Sequence, residues 1–464
     1  MKRVSEDMAD WPAFAPHGLL REEIPFGAQE FLARCPEDVP FLWLTSGHGG
    51  RHMALLGERW RLEAFETSWR WSSGGLIQHY PREPKDLPKV IDQLQQCWLS
   101  QQSPEVRCGL FLAYEAGWDL EERKVTKDPL SLPLALLFCP LQVIIFDDSG
   151  AWSLRDQHQA SLLLSVPQKF NSRFAQTSTI RARQAQEDYI NQAHQVIEHI
   201  RAGNSFQVNL SQEFYLEEKP DVFSWAQHVF STQPSAFGAF FRQPDFSILS
   251  CSPERLLRQN EQGHLITRPI AGTLPRRQNI VEDDLDAFRN NPKECAEHNM
   301  LIDLERNDLG KVCRAGSVVV EEYLTVETLP HVHHLVSQVG GDLEVGVGPG
   351  SALFAAFPGG TITGCPKLET MHILDELERE ERGPYTGSLG FLARDHFDTN
   401  ILIRTAMIDH SGVRMRFGGG IVWDSEPQKE FMETLAKARG LLRSLLEGGA
   451  ELDSCYRPFR QLFL

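Results

Sequence analysis

The sequence has no uninterrupted apolar run approaching the roughly 18 residues of a membrane-spanning helix, so we predict a water-soluble chain. Residues 1–7 lack the apolar core and small-residue cleavage site of a secretory signal, which favours the cytoplasm. The nine cysteines include no C-x-x-C pair, which argues against zinc ribbons and redox dithiols. Their odd number favours reduced thiols over a disulfide framework.

Basic residues are outnumbered: 46 Lys and Arg stand against 63 Asp and Glu, which gives a formal net charge of −17. A surface of this sign repels nucleic acid and anionic membranes. An anionic substrate would therefore need a local cationic pocket. The length of 464 residues is enough for a sizeable core, and about three domains are expected from length alone.

The polar stretch at residues 168–186 is the clearest change in composition, and we interpret it as a linker or crossing segment. It separates an N-terminal α+β subregion at residues 1–170 from a second region at residues 185–450. A helix is predicted where Tyr189, Ala193 and Ile200 fall at helical spacing. Strands are predicted at residues 41–44, 108–114, 134–141, 205–210, 237–241, 247–249, 387–393, 401–408 and 413–417. Because helix and strand do not alternate with a regular βαβ period, the predicted fold class is α+β.

Two carboxylates share one face of the predicted C-terminal helix. Residues 425–428 form an S-x-x-Q capping box, so the helix is predicted to begin near Ser425. Glu430, Glu433 and Lys437 then fall on one face. This pattern is typical of a solvated face with a Glu433–Lys437 pair that contributes ~0.3 kcal/mol. It also fits a site for Mg²⁺, provided that a third carboxylate comes from elsewhere.

A second predicted helix offers that carboxylate. Asn291 and Pro292 form a favourable N-cap and first-turn pair. Glu297 follows at helical spacing, beside the apolar Met300 and Leu301. Taken alone, Glu297 is more simply interpreted as a glutamate at the rim of a helix.

Three glycine-rich segments, at residues 268–273, 357–367 and 417–421, could let backbone N–H groups approach an anion. Each is also consistent with a tight turn. None matches G-x-G-x-x-G or G-x-x-x-x-G-K-[ST], so a nucleotide fold is not indicated.

The run His331-Val332-His333-His334 does not predict zinc, since neighbouring residues on a strand point to opposite faces. One of these histidines is a candidate catalytic or substrate contact.

The sequence resembles the chorismate-utilising family of anthranilate synthases and aminodeoxychorismate synthases in eight blocks that follow the family order. They lie at residues 203–211, 252–255, 268–273 (RPIAGT), 296–308 (AEHNMLIDLERND), 334–337, 358–367, 404–406 and 417–437. The resemblance implies a single large body in which two stacked or orthogonal, mainly antiparallel sheets are flanked by helices. It also makes residues 185–450 the chorismate-binding catalytic region.

The resemblance assigns roles to individual residues. Glu297 and Glu433 would coordinate Mg²⁺, with Glu430 helping through water, and the metal would bind a carboxylate of chorismate. Glu254 would be the general acid that protonates the departing 4-hydroxyl, and His334 would be the active-site histidine. The residues expected to hold the two carboxylates of chorismate are Gly272, Thr273, Thr363, Gly364, Tyr385, Arg404, Gly418, Gly419, Gly420 and Lys437.

Two positions distinguish branches of the family. Isochorismate and salicylate synthases carry a water-activating lysine where this chain has Gln207. An amide cannot act as that base, so amination is favoured over hydration. Many aminodeoxychorismate synthases carry a nucleophilic lysine where this chain has Ala271. Anthranilate synthases carry alanine there, so this position favours the anthranilate synthase branch.

The N-terminal third favours the other branch. Anthranilate synthases typically carry an LLES element that binds tryptophan, whereas residues 42–46 here are LWLTS, with Thr45 in place of the glutamate. Residues 109–119 (GLFLAYEAGWD) also resemble the aminodeoxychorismate branch. We therefore predict an aminodeoxychorismate synthase large subunit. An anthranilate synthase large subunit is the alternative, and an inactive binding protein on the same fold is a remote one.

No G-x-C-x-G nucleophile element is present in the sequence. The chain therefore resembles a subunit that takes ammonia from a separate glutamine amidotransferase. A further departure from the family pattern is Cys365, where alanine is usual.

Overall fold

The computed structural model describes residues 3–45, 51–121, 132–175, 178–275, 282–328 and 332–464. The strands are β1 (Leu19–Glu23), β2 (Phe41–Thr45), β3 (His52–Leu56), β4 (Trp60–Ala64), β5 (Ser68–Ser73), β6 (Leu76–Pro81), β7 (Cys108–Leu112), β8 (Ala135–Cys139), β9 (Gln142–Asp147), β10 (Gly150–Asp156), β11 (Thr179–Ala182), β12 (Gln207–Leu216), β13 (Phe237–Arg242), β14 (Ser247–Ser252), β15 (Arg255–Gln259), β16 (His264–Thr267), β17 (Ile270–Pro275), β18 (Val319–Thr328), β19 (Val332–Asp342), β20 (Gly364–Cys365), β21 (Ser388–Leu392), β22 (Phe397–Ile401), β23 (Thr405–Asp409), β24 (Gly412–Ile421) and β25 (Glu451–Leu452). The α-helices are α1 (Phe31–Arg34), α2 (Asp86–Cys97), α3 (Gln186–Arg201), α4 (Val222–Thr232), α5 (Glu282–Arg289), α6 (Pro292–Gly310), α7 (Pro349–Ala356), α8 (Lys367–Leu377), α9 (Pro427–Glu447) and α10 (Arg460–Phe463).

The strands form two large, mainly antiparallel sheets. In the first, the order is β1-β10-β9-β3-β2-β13-β14-β23-β24-β12-β11-β25, and β20 also pairs with β12. In the second, the order is β17-β19-β16-β15-β22-β21-β7-β8-β4-β5-β6, and β18 also pairs with β19. N-terminal strands complete both sheets, since β2 pairs with β13 and β7 pairs with β21. The α+β class and the two-sheet body are confirmed.

The main core lies between the two sheets. Leu42 and Phe241 of the first sheet share one buried cluster with Leu110 and Leu257 of the second. A second cluster lies between the first sheet and helices α3, α4 and α9. Strand β12 contributes alternate residues to it, because successive side chains of a strand point to opposite faces. Within the described ranges, no helix is both long and apolar enough to cross a membrane.

Several predicted elements differ from those observed. Helix α9 begins at Pro427, and the Ser425 hydroxyl instead accepts a hydrogen bond from the Val422 N–H at 3.0 Å. The capping-box prediction was therefore wrong, because this serine closes the turn before the helix. The single strand predicted at residues 401–408 is split between β22 and β23, since Arg404 has a φ of +51°. The polar stretch at residues 168–186 contains β11, which pairs with β12 and β25.

The helix that carries Glu297 is capped as predicted. Helix α6 begins at Pro292, and the Asn291 side chain accepts a hydrogen bond from the Glu294 N–H at 3.3 Å. Helix α3 is also close to its prediction, and Gly203 beyond its end has a φ of +83°.

Candidate active site

Strand β24 has an open edge at the glycine-rich segment. Its pairing with β12 continues to Ile421, but its pairing with β23 ends at Arg416, opposite Thr405. The edge of Gly418, Gly419 and Gly420 that faces away from β12 therefore lies beyond the end of β23. Backbone groups on such an edge can bind a ligand.

Close contacts on one face of the sheet require glycine at positions 418 and 420. A Cβ atom at Gly418 would collide with Asn209 Oδ1 and the Tyr385 hydroxyl, and one at Gly420 would lie 2.6 Å from Gln207 Nε2. On the opposite face, a Cβ at Gly419 would lie 3.5 Å from Glu430 Oε2 and 3.9 Å from Glu433 Oε1. The segment thus passes between the predicted substrate contacts and the predicted metal ligands.

The side chains of α9 meet this segment as the helical spacing predicted. Glu430 and Glu433 both reach Gly419. Lys437 lies 2.8 Å from Glu433 Oε1 and donates a hydrogen bond to the Gly418 carbonyl at 3.0 Å. Because the side chains of Glu433 and Lys437 are 52% and 40% exposed, this ion pair contributes little to stability. The stability of the fold therefore does not explain why Glu433 and Lys437 lie beside this segment.

The metal prediction can be tested against this donor set. Two carboxylates completed by water are a typical donor set for Mg²⁺, and Glu430 and Glu433 fit it. Glu297 is partly buried on α6, which packs against β17 and β19. Among the residues that the structure describes, no three His, Cys, Asp or Glu side chains already form a metal-binding group. The contribution of Glu297 therefore stays a prediction.

Glu254 has the surroundings of a general acid. It is 5% exposed, and its Oε1 accepts a hydrogen bond from the Thr361 hydroxyl at 3.0 Å. Burial raises the pKa of Glu254 to about 7, against the opposing effects of Thr361, the Ile270 N–H, Lys437 and Arg404. The carboxyl can therefore hold a proton near neutral pH.

The charge of Arg404 acts on both Glu254 and His334. Desolvation lowers the pKa of Arg404, although its side chain remains accessible to solvent. We interpret this combination as a side chain that lines a cleft. Desolvation also lowers the pKa of the buried His334, and the Arg404 charge lowers it further. A neutral imidazole is therefore expected, with Nδ1 placed 3.2 Å from the Gly272 carbonyl.

The RPIAGT segment reaches the site through a bulge. The pairing of β17 with β19 shifts between Ala271 and Thr273, and Gly272 between them has a φ of +78°. Ala271 is buried and pairs with Leu335, next to His334. Only the backbone of Thr273 is described.

Gln207 Oε1 and Thr363 Oγ1 are among the buried polar atoms that have no hydrogen-bond partner within the described residues. The two residues are 3% and 0% exposed. Their chain segments are adjacent, since Gly364 pairs with Val208 and has a φ of +134°. Because leaving a buried polar atom unpaired is costly, these two atoms are candidates for hydrogen bonds to a bound substrate.

Tyr385 closes the site on the face that holds Gln207. Its hydroxyl donates a hydrogen bond to Asn209 Oδ1 at 3.3 Å. Sequence reasoning missed Asn209 and Thr361. The strand period was a usable signal for Asn209, because it lies two residues after Gln207 on the same face. No sequence signal paired Thr361 with Glu254.

A buried network of ion pairs lies next to Tyr385. Arg382 donates two hydrogen bonds to Glu378 at 2.8 Å, and Arg416 contacts both Glu378 and Glu213. The pKa of Glu378 is lowered to about 2, because its ion pairs with Arg382 and Arg416 outweigh burial. A small pocket lies here, and we do not assign it to the substrate because its Arg382, Arg416 and Glu213 charges are already paired.

Replacing Glu378 with Gln is expected to lower the free energy of unfolding by about 3–5 kcal/mol, because two buried guanidinium groups lose their shared counter-ion. Urea titration of both proteins would measure this loss. The Glu378 contribution should be complete above pH ~4.5, the value for an unfolded glutamate, and lost as the pH falls toward 2. The exposed Glu376→Gln is the matched control, and equal stability of the two variants would contradict this account.

Thr45, which replaces the glutamate of the LLES element, is bound within the chain. Its hydroxyl lies 3.2 Å from both the Ser235 and the Gly238 carbonyls. Ser46, the last residue of the predicted element, lies outside the described residues, as does His331 of the histidine run. His333 is described, and its Nδ1 lies 2.9 Å from the Thr328 hydroxyl.

Comparison with known proteins identifies the family. The profile of the chorismate binding enzyme family matches residues 39–443. An anthranilate synthase component I-like protein of Synechocystis sp. is 39% identical over 359 residues, 72% of each chain. Aminodeoxychorismate synthase component 1 of Bacillus subtilis is 38% identical over 361 residues, 72% of this chain and 76% of that one.

The fold agrees with this match. The crystal structure of anthranilate synthase component I from Streptococcus pneumoniae superposes with a TM-score of 0.71 and 26% identity, over 95% of this chain and 99% of that chain. The chain belongs to the chorismate binding enzyme family, as a chorismate-utilising enzyme of the anthranilate synthase and aminodeoxychorismate synthase type.

Proposed function

We propose that the protein is the cytoplasmic large subunit of an aminodeoxychorismate synthase. It would convert chorismate and ammonia into 4-amino-4-deoxychorismate and water, on the route to p-aminobenzoate and folate. The sequence holds no glutaminase nucleophile element, so a separate glutamine amidotransferase would supply the ammonia. The component 1 names of the relatives support a second component.

The observation that carries this proposal is that the predicted catalytic residues include both a buried acid, Glu254, and a buried amide, Gln207. Glu254 can hold a proton for the departing 4-hydroxyl, which then leaves as water. Gln207 cannot take a proton from a water molecule, but its unpaired Oε1 can accept a hydrogen bond from ammonia. This chemistry favours ammonia over water as the nucleophile.

Lys437, Arg404 and His334 would act on the bound substrate through charge and hydrogen bonding. Lys437 and Arg404 supply positive charge beside Glu254, where a dianionic substrate needs it inside an acidic protein. Substrate carboxylates would also take hydrogen bonds from backbone N–H groups of the open β24 edge.

We further propose Mg²⁺ as the cofactor, coordinated by Glu297 and Glu433, with Glu430 helping through a water molecule. When bound, the metal would neutralise a substrate carboxylate. The role of this chain's residues is to present two carboxylates at Gly419, at the open edge of β24.

Anthranilate synthase activity is the second candidate, because Ala271 leaves no lysine nucleophile at the position where many aminodeoxychorismate synthases have one. Thr45 supports the first candidate. Its neutral hydroxyl is held by two backbone carbonyls, and it provides no carboxylate for the ammonium group of a feedback tryptophan.

Incubation of the purified chain with chorismate, ammonium and Mg²⁺ should consume chorismate without forming an aromatic product. An aromatic product, p-aminobenzoate, should appear only after aminodeoxychorismate lyase is added. Chromatography with fluorescence detection distinguishes it from anthranilate. Anthranilate and pyruvate formed by the chain alone would overturn the proposal in favour of the second candidate. Chorismate binding without turnover would indicate an inactive binding protein.

A further inference from the structure

Glu115 is a buried carboxyl to which the proposed chemistry assigns no role. It belongs to the segment at residues 109–119 and lies in a short 3-10 helix, Tyr114–Leu120, that follows β7. The residue is 6% exposed. Because burying a carboxyl is costly unless hydrogen bonds or a cation compensate it, the partners of Glu115 indicate why a glutamate is present here.

Glu115 binds backbone N–H groups of one turn. Its Oε1 accepts a hydrogen bond from the Arg382 N–H at 2.8 Å, and its Oε2 accepts one from the Gly383 N–H at 3.1 Å. The guanidinium of Arg382 is paired with Glu378. Burial raises the pKa of Glu115, and the two N–H groups oppose this rise. The carboxyl of Glu115 thus anchors the main chain of the turn.

The turn that Glu115 anchors leads directly to Tyr385. It is closed by a hydrogen bond from the Tyr385 N–H to the Arg382 carbonyl at 3.1 Å. Tyr114, the neighbour of Glu115, binds the same turn, since its N–H donates to the Gly383 carbonyl at 2.8 Å. Two consecutive residues of the N-terminal subregion therefore fix the main chain immediately before Tyr385.

The same short helix contacts a second loop of the site. A Cβ atom at Gly117 would lie 2.8 Å from Pro358 Cδ and 3.0 Å from Met371 Cε. Pro358 belongs to the glycine-rich segment at residues 357–367, which includes the predicted substrate contacts Thr363 and Gly364. The helix thus packs against two loops that are expected to bind chorismate.

Tyr385 carries the position of the turn into the site. Its hydroxyl donates a hydrogen bond to Asn209 Oδ1 at 3.3 Å. A Cβ atom at Gly418 would lie 2.5 Å from the same hydroxyl. Because the tyrosine ring is rigid, a shift of the turn would move the hydroxyl relative to the open edge of β24.

We infer that Glu115 is a positioning residue, which fixes the turn before Tyr385 and so places the Tyr385 hydroxyl beside Gly418, where a carboxylate of chorismate would bind. The inference rests on the proposed function in taking Tyr385 as a substrate contact. It gives the N-terminal subregion a part in substrate binding, although the predicted contacts with chorismate all lie in the catalytic region.

The test is a double-mutant cycle between Glu115→Gln and Tyr385→Phe. Isothermal titration with chorismate, with Mg²⁺ and without ammonium, measures the dissociation constant. Glu115→Gln keeps the shape of the side chain but turns an NH2 group toward a backbone N–H, so it should weaken chorismate binding roughly 3- to 10-fold. In the Tyr385→Phe background the same substitution should weaken binding less than about twofold, because the hydroxyl that it positions is absent.

Asp119→Asn is the matched control, because Asp119 is a buried carboxyl of the same short helix that binds a different part of the chain. Its carboxylate accepts a hydrogen bond from the Leu87 N–H at 2.8 Å and pairs with the Arg82 guanidinium. Asp119→Asn should lower the free energy of unfolding but change the affinity for chorismate less than about twofold.

A fluorine label gives a measurement that does not depend on chorismate. With 3-fluorotyrosine in place of Tyr385, the fluorine NMR signal should shift or broaden in Glu115→Gln and stay unchanged in Asp119→Asn. Glu115→Asp, which keeps the charge on a shorter side chain, replaces Glu115→Gln in both measurements if the glutamine variant does not fold.

Additive effects of Glu115→Gln and Tyr385→Phe on the affinity for chorismate would overturn the inference, and so would a fluorine signal that Glu115→Gln leaves unchanged. A loss of affinity in Asp119→Asn as large as that in Glu115→Gln would show a merely structural role. A wild-type chain that neither binds nor converts chorismate would instead reject the proposed function, and the fluorine signal would then decide whether Glu115 positions Tyr385.

Discussion

Replacing Glu254 with Gln is expected to lower kcat about 10²–10⁴-fold, because the departing hydroxyl loses its proton donor. Glutamine has nearly the same shape and can keep the contact with Thr361, so the fold and the affinity for chorismate should change little. Steady-state kinetics with saturating ammonium would measure the loss, and isothermal titration with chorismate would show that binding remains. Glu261→Gln, in an exposed turn seven residues later, is the matched control.

The pH dependence of the wild-type protein provides a check on the same residue. Because burial raises the pKa of Glu254 to about 7, the protonated, active form dominates below this pH and is lost as the pH rises through it. The rate at a constant concentration of unprotonated ammonia should therefore fall on the alkaline side. A Glu254→Gln variant that keeps this alkaline limb, or that turns over at the normal rate, would remove Glu254 from the role of acid.

Replacing Glu433 with Gln is expected to abolish turnover at ordinary Mg²⁺ concentrations while the fold stays intact. Loss of one of two carboxylates at Gly419 should weaken Mg²⁺ binding by at least about 100-fold, since even the loss of a residue that only hydrogen-bonds to a metal ligand costs roughly 10–100-fold. The substitution also frees Lys437 from its ion pair. Calorimetric titration with Mg²⁺ measures the binding loss independently of activity, and circular dichroism tests the fold.

Glu426→Gln is the control for Glu433, because Glu426 precedes the same helix and its side chain is 64% exposed and paired with Lys429. This control should bind Mg²⁺ and turn over like the wild-type protein. Near-normal activity of Glu433→Gln at ordinary Mg²⁺ would remove Glu433 from the metal site. Partial recovery of that variant at high Mg²⁺ would agree with a weakened site.

Local patterns in the sequence were enough to place several site residues on their elements. Helical spacing put Glu430, Glu433 and Lys437 on one face of α9, and Asn291 was recognised as the cap of α6. These features depend on residues within one or two helical turns. The capping prediction at Ser425 was wrong for a related reason, because a serine hydroxyl can bond to the preceding turn as readily as to the helix.

Features that join distant segments depended on the tertiary structure. Burial keeps the proton on Glu254 against the opposing hydrogen bond from Thr361, 107 residues away, and no local pattern carries that pairing. The open edge of β24 exists because β23 begins only after Arg404 turns the chain at a positive φ.

The chain alone thus specified the type of several elements, among them the helices that carry Glu297, Glu430 and Glu433, because helical spacing and capping follow from short-range patterns and from the properties of single side chains. The fold decided which of those elements meet, how deeply each carboxyl is buried and therefore which of them holds a proton at neutral pH. Burial and charge pairing depend on atoms that come from all parts of the chain. Both are therefore set only when the two sheets and helices α6 and α9 pack together.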